Sequence, residues 1–196
     1  NIAGALLRAA IGNNLSAYLE KKIWQPYGME AQASWLLEGP GGVEFGGCCI
    51  NATLRDYARI GLFAMRGGVL QGGERALPES WMLESTTPSR GSDGYGYYWW
   101  LLGDGVYAAI GVFGQMIWID PARNIVIALH SAWPSAGSPA LREHRAAFIN
   151  ALADALGLSE LVKVATEHWV GDFKLDILCT DGDQKVIIEN QLEEAN

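Results

Sequence analysis

No stretch of this chain approaches the roughly 20 consecutive apolar residues that a bilayer-spanning helix requires, so no membrane partner is expected. Positive charge is also scarce. Fourteen Lys and Arg stand against 22 Asp and Glu, a formal net charge of −8. A balance of that sign repels a phosphate backbone, and no nucleic-acid partner is expected. Cysteine is limited to Cys48, Cys49 and Cys179. An odd count with no C-x-x-C pair makes a poor disulfide framework and leans toward a reducing, cytoplasmic compartment. The first eight residues offer neither an initiator methionine nor a basic leader. The natural start is therefore expected upstream of Asn1, which leaves any targeting signal unread.

What remains is a globular composition, 49% hydrophobic and 18% charged over 196 residues. A chain of this size can bury a substantial core. Ile2, Leu6, Leu7 and Ala10 share one face of a helix over 2–11, stopped by Gly12-Asn13. Asn14 is placed to cap a second helix carrying Leu15, Tyr18, Leu19 and Ile23, ended by Pro26 and Gly28. Residues 39–47 read as a glycine-rich surface loop. Thr53-Leu-Arg-Asp56 resembles a capping box with Asp for Glu, opening a helix that ends at Gly67-Gly68.

From Tyr95 the pattern changes to strands. Tyr95 to Leu102 is aromatic and strand-like, and Gly103-Asp-Gly105 is a hairpin turn. Val106–Ile110, Gln115–Ile119 and Ile125–Ser131 follow, the last two joined by the turn Asp120-Pro-Ala-Arg-Asn124. Tight turns between consecutive strands imply an antiparallel meander. Leu141–Leu156 is a helix with Phe148, Leu152 and Leu156 on one stripe, expected on one face of the sheet. The fold class is α+β, an antiparallel sheet flanked by helices, followed by a C-terminal β-hairpin fragment. Residues 1–158 form one unit. Residues 159–196 form a second segment that holds nine of the acidic and three of the basic residues. Its two strands surround Asp181-Gly-Asp183, and a lone hairpin is marginal in water.

Three stretches together resemble the serine β-lactamase-like, penicillin-recognising hydrolases, in particular the branch of class C-like esterases and 6-aminohexanoate-dimer hydrolases. They are Ile23-Trp-Gln-Pro-Tyr-Gly-Met29; Gly42-Gly-Val-Glu-Phe-Gly-Gly47 with Asn51-Ala-Thr-Leu-Arg-Asp56; and Gly94-Tyr-Gly-Tyr-Tyr-Trp-Trp100 leading to Gly111-Val-Phe-Gly-Gln115 and Met116-Ile-Trp-Ile-Asp-Pro121. The resemblance implies acyl transfer through a serine ester on small-molecule ester or amide substrates, with no cofactor. It also implies a Ser-x-x-Lys and a Tyr-x-Asn motif. Neither occurs among these 196 residues. The resemblance places both upstream, and the chain alone is expected to be inactive.

The resemblance further implies that a backbone N–H of Gly111-Val-Phe-Gly114 completes the oxyanion hole, with Val112 as donor and Gly111 beside it. Phe113 and Gly114 would then touch substrate, and Tyr98 or Trp100 would wall the cleft. The competing reading of the glycines is a β-bulge or an edge kink. The competing reading of the aromatics is core filling. His130, ending an apolar strand, is expected to be structural, and His144 to be solvated. Cys48-Cys49 is read as structural.

The tail resembles the core hairpin of PD-(D/E)xK nuclease-like proteins through Val170-Gly-Asp-Phe-Lys-Leu-Asp176 and Val186-Ile-Ile-Glu-Asn-Gln-Leu192. That resemblance implies Asp176, Glu189 and Gln191 around Mg²⁺. An acidic surface hairpin is the expectation favoured over a working metal site. Three functional classes therefore stand: a serine-hydrolase fragment, a nuclease-like protein seen through its hairpin, and a non-catalytic binding module on the hydrolase scaffold.

Overall fold

The computed structural model of the chain describes residues 2–12, 14–157, 168–170, 173–175, 177–181 and 184–190, with side chains as far as position 154. The apolar runs between 106 and 130 build its centre. β3 (Trp100–Gly103), β4 (Val106–Ile110), β5 (Met116–Asp120) and β6 (Ile125–His130) form the expected antiparallel meander. Ala108 lies opposite Trp118, and Trp118 opposite Ile127. Asp104 and Gly105 both take positive φ, 50° and 79°, the backbone a two-residue hairpin turn needs.

Every residue of β5 is buried, and so is β6 up to Leu129. Strands this apolar must be covered on both sides. Ile149, Leu152 and Ala153 of the helix Pro139–Gly157 cover one face, over Ala108, Met116, Trp118, Ile125, Ile127 and Leu129. Ala58, Leu62 and Phe63 of a second helix, Leu54–Met65, cover the other, over Tyr107, Ile117, Ile119, Val126 and Ala128. One covered face was expected from the sequence, and the second is supplied by this helix.

The remaining elements frame that sandwich. In chain order α1 is Ile2–Ile11 and α2 Leu15–Leu19, which runs through a π-helical turn (Glu20–Trp24) into α3 (Gln25–Tyr27). The short strands β1 (Ser34–Trp35) and β2 (Ile50–Asn51) pair antiparallel. The helix Leu54–Met65 is α4, Trp81–Ser85 is α5 and Pro139–Gly157 is α6. Thr53 caps α4, its hydroxyl accepting from Asp56 N–H at 3.2 Å. Asp56 departs from the expected capping box. Its buried carboxylate accepts instead from Glu30 N–H (2.8 Å), Ala31 N–H (3.2 Å) and Arg59 (3.0 Å), tying the turn after α3 to α4. No helix among the described residues is long and apolar enough to cross a membrane.

Three expectations are corrected. The strand expected from Tyr95 shortens to Trp100–Gly103, because Tyr98 takes φ 66° and breaks extension. The hairpin of β9 (Ile177–Asp181) and β10 (Gln184–Asn190) does not stand alone. β10 pairs with β6 in parallel, from Lys185 opposite Ile125 to Asn190 opposite His130, and so covers backbone groups that an edge strand leaves open. β7 (His168–Val170) and β8 (Phe173–Leu175) form a separate pair. Cys48 and Cys49 are joined to each other, where no bridge was expected; Cys49 takes φ 78° and the Cα atoms stand 3.7 Å apart.

The loop 39–47 conceals an anchor. Glu44 is 7% exposed and binds Arg8 of α1, with Ser16 of α2 donating through N–H (3.0 Å) and hydroxyl (2.8 Å). Burial alone would raise this carboxyl. The hydrogen bonds from Ser16 N–H, its own N–H, the Ser16 hydroxyl and Arg8 outweigh burial and bring it from 4.5 down to about 2. A depressed carboxylate contributes stability that is present above pH 4.5 and lost as pH falls through 2. Glu44→Gln is expected to lower stability near pH 7 by on the order of 2 kcal/mol and to flatten the acid limb between pH 4.5 and 2. Urea unfolding across that range reads both effects, and an unchanged acid limb would contradict the assignment.

A tighter constraint lies where α4 meets the sheet. A Cβ on Gly61 would stand 2.5 Å from Val126 Cγ1 and 2.8 Å from Ile117 Cγ2. Both contacts are methyls on β-branched carbons, which cannot swing aside. Gly61→Ala is expected to destabilise by about 1–3 kcal/mol through overpacking, read as a lower urea midpoint at unchanged slope.

Candidate active site

β4 and β5 are joined by the turn Gly111-Val-Phe-Gly114, neither the bulge nor the edge kink that glycines in a strand also signal. Gly111 N–H donates to Gln115 O at 2.8 Å and Gly114 N–H to Gly111 O at 3.2 Å. The Gln115 side chain folds back so that its Oε1 accepts from Phe113 N–H at 3.2 Å. That fold-back requires glycine at 111, where a Cβ would run into Gln115 Oε1. Gly114 takes φ 93°, and a Cβ there would strike the Trp133 ring and lie 2.7 Å from Ser131 Oγ. Glycine is needed there on both counts.

The carbonyls of the turn are all occupied. Gly111 O accepts from Gly114 N–H, Val112 O from Gly137 N–H (2.7 Å), Phe113 O from Trp133 N–H (3.2 Å) and Gly114 O from Arg145 Nη1 (3.2 Å). Three of the four amides are occupied as well. Among the described residues Val112 N–H has no acceptor, and Val112 is 64% exposed. Val112 N–H is therefore the one amide of this turn left without an acceptor among the described residues.

The other sequence candidates lie as follows. Trp100 pairs with Ala108, three residues or about 10 Å along β4 from Gly111, so it shares this end of the sheet. It is half-exposed and stands edge-on to Tyr95 at 5.0 Å. Tyr98 is exposed, and Phe113 is partly so. Trp99, by contrast, packs against Tyr107 in the core at 5.1 Å, which gives that residue the core-filling role. His130 ends β6 one residue beyond Leu129, which lies opposite Met116, and so reaches the same end of the sheet. Its ring meets Tyr57 edge-on at 5.2 Å. Burial lowers its pKa and favours neutral imidazole. His144 is exposed on α6.

At the tail, Asp176 and Gln191 lie outside the described residues, and Glu189 is placed opposite Leu129 in the β10–β6 pair. Sequence reasoning overlooked Arg145, Trp133 and Gly137, which no local motif marks. It also overlooked a groove of about 520 Å³ between α2 and the 29–35 segment, lined by Trp24, Met29, Trp35 and Ile50 among others. None of its lining residues belongs to the Gly111–Gly114 turn.

A family model described as Beta-lactamase matches residues 1–151. The chain belongs to the beta-lactamase family. Over 136 residues it is 31% identical to the 6-aminohexanoate-dimer hydrolase of Paenarthrobacter ureafaciens, an alignment covering 61% of this chain and 33% of that protein. A solved structure from Bacillus anthracis, provisionally named a 6-aminohexanoate-dimer hydrolase, superposes with a TM-score of 0.67 at 22% identity. That match covers 81% of this chain and 42% of the other and establishes the shared fold. The chain thus spans well under half the length of either relative. The turn at Gly111 invites one local test. Gly114→Ala is expected to cost about 1–3 kcal/mol from the left-handed backbone, with further loss from the Trp133 clash. Urea unfolding measures it, and a neutral effect would show that the turn is not held as described.

Proposed function

We propose that this chain supplies the oxyanion-binding part of a serine acyl-transfer hydrolase acting on ester or amide bonds of small molecules. The observation that carries this reading is Val112 N–H, without an acceptor among the described residues in a turn whose other amides and four carbonyls are all engaged. A donor fixed before the substrate arrives needs no reorganisation when charge develops on the carbonyl oxygen.

In the proposed reaction a serine hydroxyl attacks the carbonyl carbon while a neighbouring base removes its proton. The C=O π electrons move onto oxygen, and Val112 N–H donates to that oxyanion. Collapse of the tetrahedral adduct expels the alcohol or amine, protonated as it leaves, and water then hydrolyses the acyl-enzyme by the same route. The proposed reaction takes its serine and base from a Ser-x-x-Lys motif, which these 196 residues do not contain. The chemistry calls for no cofactor. Trp100 and Phe113, exposed near this end of the sheet, suit the apolar part of a short linear substrate, and the exposed Tyr98 is a further candidate. The name shared by the two relatives makes a 6-aminohexanoate dimer a reasonable first substrate to try. The sequence's lack of Ser-x-x-Lys and Tyr-x-Asn favours one second reading, a non-catalytic binding module on the same scaffold.

The chain alone is expected to turn over neither p-nitrophenyl esters, nor a chromogenic cephalosporin, nor a short amide. Combined with the part of the Paenarthrobacter relative that this chain does not align to, in trans or as a fusion, it is expected to hydrolyse ester or amide. Val112→Pro, which removes the N–H, should then lower kcat by roughly 10²–10³-fold. Turnover by the chain alone that one Ser→Ala change abolishes would place the nucleophile within it. Full activity in a folded Val112→Pro variant would remove Val112 from the mechanism, and persistent inactivity of every combination would favour the binding module.

A further inference from the structure

The Gly111–Gly114 turn is flexible by composition, and two glycines of four would let its peptides reorient at little cost. Besides its local bonds with Gln115, it is held by three groups more than 15 residues away. Two are main-chain donors, Trp133 N–H to Phe113 O and Gly137 N–H to Val112 O. The third is a side chain. Arg145 donates from Nη1 to Gly114 O at 3.2 Å, and its guanidinium carbon stands 5.1 Å from the centre of the Trp133 ring. The same Trp133 ring blocks any Cβ at Gly114. One cation therefore contacts both the turn and the residue that abuts it.

We infer that Arg145 is a positioning residue for acyl transfer, holding the Gly111–Gly114 turn so that Val112 N–H stays directed at the reacting oxygen. The inference rests on the oxyanion reading above. Its physical basis is the anchoring of Arg145 on α6, a 19-residue helix fastened to the sheet by Ile149, Leu152 and Ala153. A turn bonded to such an element inherits its rigidity, which is what a catalytic donor requires. Arginine suits the task because a planar guanidinium stacks on an aromatic face while donating in its own plane. The compact ammonium of lysine cannot do both. A cation bonded to the turn also favours negative charge on an oxygen bound there.

The test begins on the chain itself, with residue-resolved amide exchange by NMR. In Arg145→Ala the amides of Gly114, Trp133 and Gly137, each bonded within or onto the turn, should exchange roughly 10-fold faster or more, while those of β5 and β6 keep their protection. Arg145→Lys should fall between. Unchanged exchange at these three amides overturns the proposal, and so does a uniform loss across the sheet, which would make Arg145 a general stabiliser. In the enzyme completed with a Ser-x-x-Lys segment, Arg145→Ala should lower kcat roughly 10-fold with KM little changed, and should add nothing to Val112→Pro. An equal Arg145→Ala loss in both backgrounds sinks the proposal alone. A Val112→Pro enzyme with undiminished kcat sinks the oxyanion reading, and this proposal with it.

Discussion

Helix α4 approaches the sheet so closely that position 61 has no room for a methyl group, and the arrangement of the rest follows from that approach. Val126 and Ile117 fill the space a side chain would have taken. Ala58, Leu62 and Phe63 then lie over the face of β4, β5 and β6 opposite α6. With both faces covered, β5 and β6 become fully buried strands, the environment in which near-continuous apolar sequences are stable. The same helix carries Asp56, whose buried carboxylate fastens the Glu30–Ala31 turn. The α1–α3 region is held in addition by Glu44 through Arg8 and Ser16. Two buried carboxylates, each satisfied by several donors, thus fasten α1 and α2 to the 39–47 loop and the turn after α3 to α4.

The Gly111–Gly114 turn grows from the end of this sandwich. β4 and β5 end where Gly111–Gly114 crosses between them, and α6 supplies Arg145 from behind. Burying polar backbone without partners is costly, so nearly every group in a packed turn finds one. An exposed amide left over from that accounting is different, because it keeps its capacity for a ligand. Val112 N–H is such a group among the described residues. The family match and the shared fold put the turn in a beta-lactamase-family fold, and the chain spans less than half the length of the relatives it matches.

Much of the architecture was legible because local chemistry announces it. Apolar runs and the Asp104-Gly105 and Asp120–Asn124 turns located β4, β5 and β6 to within a residue at each end. Thr53 was correctly read as a cap. Errors arose where one residue's backbone overrode a composition signal. Tyr98 at φ 66° cut short the strand that the aromatic run promised, and Cys49 at φ 78° accompanies a bridge between neighbours that cysteine counting discounts. The parallel docking of β10 on β6 was equally invisible, since the two strands are about 60 residues apart and neither carries a mark of the other.

By itself the sequence determined the main helices and the order of the meander, because periodicity, caps and turn residues act over a few positions, and it marked Gly111–Gly114 only as a glycine-flanked segment, not as a turn. Only the tertiary structure decided which amide of that turn remains available. That outcome depends on Trp133, Gly137 and Arg145, brought to the turn by a loop and a helix that follow β6. It likewise decided that Glu44, an unremarkable acid in a glycine-rich loop, is the buried anchor of two helices. Hydrogen-bond partners distant along the chain leave no local pattern; packing alone brings them together, and with them the site.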